Sequence, residues 1–344
     1  MLVNQNSACT IIAEIGLNHN GDYQLAKESI IAAAKSGATA VKFQNFVTED
    51  FLSDRSILHT YKDKDKEITE PLFDICKRSE FKKEWLPGLI ELCDSLGIIF
   101  FSTPTSKSGV DDLIDCGVKY IKNGSDYLSH IPLLKYMAST GATIIISTGM
   151  AYQEDIDDAV NAILEVQPDK SKLMILHCTS SYPTPVEDVN LNKIQTLRDR
   201  YQVSIGFSDH TEGWISAVQA VTLGVKVIEK HFTLDKKLPG PDHWFSSDPE
   251  EFTELIAQVR LAEKRMGSMA LRPSNSEMEV LTQWKLGLVW DKDMEVGDTI
   301  LEKSIAIRKP ATGLPPKDLV SVIGHKVIRN CKKGEPVTNL DYIN

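Results

Sequence analysis

The sequence predicts an α/β fold: a closed (β/α)8 barrel of the TIM type, followed by a small β-rich module. Three observations predict it. Eight short runs rich in β-branched and aromatic residues, each followed by a helical pattern, recur over roughly 270 residues, the length such a barrel needs. Nearly every run finishes in polar residues, at the strand end where barrels place their chemistry. After Arg272 the alternation stops and short strands with Gly and Pro turns take over. The alternative is an open doubly wound sheet, but no GxGxxG follows the first strand. The expected division is a barrel over 1–272, a linker over 273–284 and a small domain over 285–344.

Taken in order, the first strand is Ile11 to Gly16, with Glu14 a costly carboxylate in an apolar run. Asn18-His-Asn-Gly21 is a turn, and Leu25 to Lys35 has helical spacing. The second strand, Ala40 to Phe46, puts Lys42 and Gln44 on one face. Val47 to Glu80 is polar and irregular, and Tyr61 to Glu67 reads as a solvated loop or helix face. Phe81 to Leu96 reads as one amphipathic helix stopped by Gly97. Strand three runs from Ile98 to Pro104, and strand four, Tyr120 to Ser125, ends in Lys122 and Ser125. Strand five covers Thr143 to Gly149. Strand six covers Leu173 to Tyr182, closed by Pro183 and Pro185. Strand seven ends at His210 and strand eight near His231. Asp248 and Pro249 then suit the cap and first turn of a final helix.

A chain of 344 residues with ordinary apolar and charged fractions is globular. No run approaches the ~20 apolar residues of a membrane span. Met1 to Thr10 lacks the basic start and apolar core of a signal peptide. The six cysteines form no CxxC pair and read as reduced thiols of a cytoplasmic protein. A net charge of -10 argues against nucleic-acid and membrane partners, while leaving room for a small anion in a lysine-lined cleft.

The stretch Gly206-Phe-Ser-Asp-His-Thr211 and its continuation Val227 to Leu234 carry the densest chemistry. Side chains alternate along a strand, so Ser208 and His210 share one face, as do Glu229 and His231. Two imidazoles without a full ligand set suggest an open divalent-metal site. Lys42 and Lys122 supply positive charge, and Thr103, Ser125, Ser147 and Ser208 supply hydroxyl donors. Together they suit a small phosphorylated carboxylate such as phosphoenolpyruvate. Glu14 and Asp242 are available to orient sugar hydroxyls or a water. An anion pocket beside an electrophile-activating metal implies carbon–carbon bond formation between an enol phosphate and an aldehyde.

The motifs Ala13-Glu-Ile-Gly-Leu-Asn-His-Asn-Gly21, Val41-Lys-Phe-Gln44, Leu176-His-Cys-Thr179, Gly206-Phe-Ser-Asp-His-Thr211, Ile228 to Asp235 and Pro239-Gly-Pro-Asp-His243 occur in this order. In this they resemble the sialic acid (N-acetylneuraminate) synthases, a family that includes legionaminate and pseudaminate synthases. The tail from about Lys285 is similar to that family's antifreeze-like (SAF) domain. The resemblance implies condensation of phosphoenolpyruvate with an N-acetylmannosamine-type aldehyde to a nonulosonic acid and phosphate. It implies His210 and His231 as ligands of manganese, with magnesium or cobalt as alternatives. It implies a phosphoenolpyruvate pocket of Lys42, Thr103, Lys122, Ser125, Ser147, Ser180 and Ser208. Gln44, Tyr182, Glu229 and Asp242 would face the sugar, and Glu14 would join the two histidines in catalysis. A domain-swapped homodimer would bring Arg308 to the acyl-amino group in its partner's barrel.

Family members often carry Asn where Ser180 stands, and an acid near Tyr127 where this chain reads Gly124-Ser-Asp-Tyr127. These departures leave the sugar open, and Pro239-Gly-Pro-Asp242 favours a sialate or legionaminate precursor. Two further readings are a 3-deoxy sugar acid synthase using a phosphorylated aldose, and a non-catalytic carbohydrate- or ice-binding protein.

Overall fold

In the computed structural model, which describes residues 8–63 and 66–343, the chain forms two compact units, Met1–Gly267 and Ser268–Asn344. The first is a closed barrel of eight parallel strands: β1 (Thr10–Gly16), β2 (Ala40–Asn45), β3 (Ile99–Pro104), β4 (Tyr120–Asn123), β5 (Thr143–Ser147), β6 (Leu173–Cys178), β7 (Ser204–Asp209) and β8 (Val227–His231). Each pairs with its sequence neighbour, and β8 closes on β1. One helix covers each strand: α1 (Tyr23–Lys35), α2 (Leu86–Leu96), α3 (Lys107–Asp115), α4 (Ile131–Ser139), α5 (Gln153–Val166), α6 (Lys193–Tyr201), α7 (Ile215–Thr222) and α8 (Pro249–Met266). Buried strands and helix faces share one apolar core. That burial is the main favourable term in folding. Asp22 caps α1, and Asp248, the expected cap, forms a reciprocal capping box with Glu251 on α8.

Two readings need correction. Tyr61–Asp63 and Lys66–Glu67 are strand, neither loop nor helix face. Leu58–Asp63 and Lys66–Pro71 pair antiparallel; Lys64 and Asp65 lie outside the described residues. The alternating charges sit directly across from one another, Lys62 opposite Glu67 and Asp63 opposite Lys66, which favours a ribbon. The expected helix from Phe81 to Leu96 begins only at Leu86, after a 3-10 turn over Lys83–Trp85. Pro87 explains the delay: without an N–H it is tolerated in a first turn, not in a helix interior.

The second unit pairs Gly287–Trp290 with Ile305–Arg308 and Lys326–Val327 with Tyr342–Ile343 around a small core that includes Leu288, Trp290, Ile300 and Val337. Among the described residues, no helix is long and apolar enough to cross a membrane.

Candidate active site

A cavity of about 380 Å³ opens at the C-terminal ends of the barrel strands. Its wall carries Glu14, Lys42, Gln44, Thr103, Lys122, Ser125, Ser147, Ser180, Tyr182, Ser208, His210, Glu229 and His231, residues scattered over most of the barrel sequence. Period-two alternation puts them there. Residues two apart on a strand face the same way, so the polar residues near the strand ends share the inward face.

Two lysines and two carboxylates form the floor. Glu14 and Lys42 are register partners on β1 and β2, with Lys42 Nζ 2.8 Å from Glu14 Oε2. Lys42 Nζ also donates to Thr103 Oγ1 at 3.0 Å, and Gln44 Nε2 donates to Glu14 Oε1 at 3.0 Å. On the strands on the other side of β1, Ser208 Oγ donates to Glu229 Oε1 at 2.9 Å, and Lys122 Nζ stands 3.5 Å from the same oxygen. All four charged groups are buried.

Burial pushes the Glu14 carboxyl up to about 7, against the pull of Lys42 and with the repulsion of Glu229. Burial acts on Glu229 the same way, but Lys122 and Lys42 overcome it and hold its pKa below the usual value. Glu229 is therefore the lasting anion of the cluster and Glu14 the group that takes up a proton near neutrality. Burial lowers Lys122, whereas Glu14 and Glu229 more than compensate it at Lys42. With Glu14 protonated, the floor carries one net positive charge, the right sign for an anionic substrate.

Beside it lies a hydroxyl cradle. Gly149 N donates to Ser125 Oγ at 3.0 Å, and the Ser147 hydroxyl is buried without a partner. A Cβ at Gly149 would stand 2.2 Å from Ser180 Oγ and 2.8 Å from Ser125 Oγ, so only glycine lets these hydroxyls converge.

The histidine rings of β8 and the turn after β7 lie 5.3 Å apart, centre to centre. His210 Nδ1 donates to the Thr179 carbonyl at 2.8 Å, which in a neutral ring leaves the lone pair on Nε2. Burial, together with His210 and three lysines, keeps His231 well below the usual imidazole range and therefore neutral. Its buried Nδ1 has no hydrogen-bond partner; the Asp242 carboxylate is 3.8 Å away. For His210, burial is outweighed by Cys178, whose thiol is itself inclined to ionise beside it, together with the Thr179 carbonyl and Glu229, and its pKa rises. Among the described residues, no group of three or more His, Cys, Asp or Glu is arranged to hold a metal. The two imidazoles, with an unsatisfied ring nitrogen and a carboxylate alongside, suit an ion whose remaining positions are filled from outside the protein.

Two predicted residues lie elsewhere. Asp242 is outside the cavity wall, half-buried beside His231, with burial pushing its pKa to about 6. Arg308 belongs to the second unit, where it is exposed and paired with Asp291. Several neighbours escaped the sequence reading. Phe46, Thr105 and Cys178 line the cavity one alternation step from Gln44, Thr103 and Ser180, so the same period would have found them. Phe245 packs its ring 5.1 Å from that of His231 and 5.2 Å from that of Tyr182, but it sits in a loop without periodic signal.

The NeuB family profile matches residues 29–270, and that of the SAF domain matches residues 287–342. The chain is 38% identical over 328 residues to an N,N'-diacetyllegionaminic acid synthase of Legionella pneumophila, covering 95% of this chain and 92% of the relative. It is 33% identical over 349 residues to a pseudaminic acid synthase of Campylobacter jejuni, covering 98% of each. The crystal structure of an N-acetylneuraminic acid synthetase from Leptospira borgpetersenii, in complex with citrate, superposes with a TM-score of 0.71 at 35% identity, over 80% of this chain and 91% of that one. A buried lysine–carboxylate floor, a histidine pair and a matching profile over most of the chain give one conclusion: this chain belongs to the NeuB family of nonulosonic acid synthases.

Proposed function

We propose that this protein condenses phosphoenolpyruvate with an N-acylated amino-sugar aldehyde, N-acetylmannosamine or its 2,4-diacetamido-6-deoxy analogue, to give a nonulosonic acid and phosphate. The observation that carries this reading is one cavity holding Lys42, Lys122, a hydroxyl cradle and two histidines. Lys42 and Lys122, with Thr103, Ser125, Ser147, Ser180 and Ser208, bind the carboxylate and phosphate of the enol phosphate. Gln44, Tyr182, Glu229 and Asp242 orient the sugar. Carbon 3 of the enol phosphate attacks the aldehyde carbon. Water adds at carbon 2, and phosphate leaves with carbon–oxygen cleavage. Glu14, ionising at about 7, is the group suited to take a proton from that water.

His210 and His231 would hold a divalent ion, manganese by this reading, with magnesium and cobalt as alternatives. When bound, such an ion supplies Lewis-acid polarisation of the aldehyde carbonyl. Arg308 contacts the acyl-amino group of sugar bound in a partner's barrel, within a domain-swapped homodimer. The free cysteines and phosphoenolpyruvate as substrate support a cytoplasmic location.

The test is phosphate release from phosphoenolpyruvate with each aldehyde, before and after treatment with a chelator. Aldehyde-dependent release that disappears on chelation and returns with manganese supports the reading. Activity indifferent to the chelator contradicts the metal role, and turnover only with a phosphorylated aldose contradicts the substrate.

A further inference from the structure

Directly behind the two histidines, on the outward faces of β7 and β8, lies a buried ion pair that the chemistry above does not use. Lys230 and Asp209 are register partners, with Lys230 Nζ 3.0 Å from Asp209 Oδ2. Both side chains are almost fully buried, at 3% and 0% exposure. Earlier outward positions on the same strands, Phe207 and Ile228, are apolar and buried. An apolar pair would satisfy this layer as well. Burying two charges costs several kcal/mol and often fails to stabilise a fold relative to a hydrophobic replacement. Packing alone does not account for the pair.

Its connections suggest another purpose. Asp209 Oδ1 accepts from Thr211 N at 2.9 Å and from Thr211 Oγ1 at 2.7 Å. Lys230 Nζ donates to the Thr211 carbonyl as well as to Asp209. The residues on both sides of His210 are thus tied to one ammonium group, and that group belongs to the residue before His231. A slip of either strand by one position would turn its histidine to the outer face.

We infer that Lys230 is a positioning residue: with Asp209 it clamps the ends of β7 and β8 so that the two imidazoles hold the spacing a shared divalent ion requires. The inference rests on the two-histidine metal reading.

The test measures Mn2+ binding without substrates, from the electron paramagnetic resonance signal of the free ion, in wild type, His210→Ala, Lys230→Arg and the double variant Asp209→Asn/Lys230→Met. The double variant leaves no buried charge unpaired. It is expected to fold, to bind Mn2+ at least about tenfold more weakly, to regain turnover at high Mn2+, and to keep its KM for phosphoenolpyruvate within about twofold. Lys230→Arg is expected to fall between it and wild type. A folded double variant that binds Mn2+ like wild type overturns the positioning role alone. Should the double variant fail to fold, Lys230→Arg decides: weakened Mn2+ binding supports the role, and unchanged binding overturns it. Absence of Mn2+ binding by wild type, or equal binding by His210→Ala, overturns the metal reading and this inference with it.

Discussion

Glu14 and Lys42 form a buried ion pair, 2.8 Å from oxygen to nitrogen, across the first two strands of the barrel. The pair is asymmetric in its response to pH, because Glu14 ionises only at about 7 while Lys42 stays charged well beyond that. Lys42 pulls the Glu14 pKa down, so without it Glu14 stays protonated to higher pH. Lys42→Met should therefore lose about 1 kcal/mol more stability relative to wild type at pH 8 than at pH 5. Denaturant unfolding at the two pH values checks this, and equal losses would count against the pairing.

Glu14 itself gives a second prediction. Its folded pKa, about 7, lies above the ordinary 4.5. Between those values the folded chain keeps a proton that the unfolded chain has released. The contribution is fully present below pH 4.5 and is lost as pH rises through about 7, a swing of at most ~3 kcal/mol. Glu14→Gln cannot ionise and lacks this loss. The difference in melting temperature, variant minus wild type, should therefore grow by several degrees between pH 5 and pH 8. A constant difference would refute the raised pKa.

Gln44 and Tyr182 line the cavity and, in the proposed division of the site, face the sugar. Gln44→Ala and Tyr182→Phe should each raise the KM for the aldehyde about tenfold, the loss of one hydrogen bond to a polar substrate, while moving that for phosphoenolpyruvate less than twofold. Initial-rate kinetics with both substrates varied would show it; equal effects on the two substrates would contradict the division.

Much of this was legible in the sequence, for physical reasons that can be named. Strand ends such as Lys42-Phe-Gln44 and Glu229-Lys-His231 declared themselves because polar residues in apolar runs are costly without a purpose. The structure brings these and the other predicted barrel residues to one cavity wall, Asp242 apart. What stayed hidden was non-local. The Lys and Asp alternation before Glu67 suits a helix face or a ribbon equally, and only its pairing with the opposite strand decides. Asp209 and Lys230 carried no signal of a shared role in the sequence, and only their register makes them partners on the outer face. Phe245 lies in a loop, where no periodicity points inward.

Arg308 lies on a strand of the second unit, exposed and paired with Asp291. An exposed pair of this kind contributes little to stability, so its loss should leave the melting temperature within about a degree or two. The proposed contact across the dimer predicts that Arg308→Ala raises the KM for the sugar far more than that for phosphoenolpyruvate. Sedimentation of the wild type as a monomer, or equal kinetic effects on both substrates, would refute it.

The most direct measurement is the mass of the product formed from phosphoenolpyruvate and each unphosphorylated aldehyde, recorded together with released phosphate. One nonulosonic acid per phosphate is expected, equal in mass to phosphoenolpyruvate plus aldehyde plus water minus phosphate, with no release without the aldehyde. Phosphate release that ignores the aldehyde, or a condensation product only from a phosphorylated aldose, would contradict it.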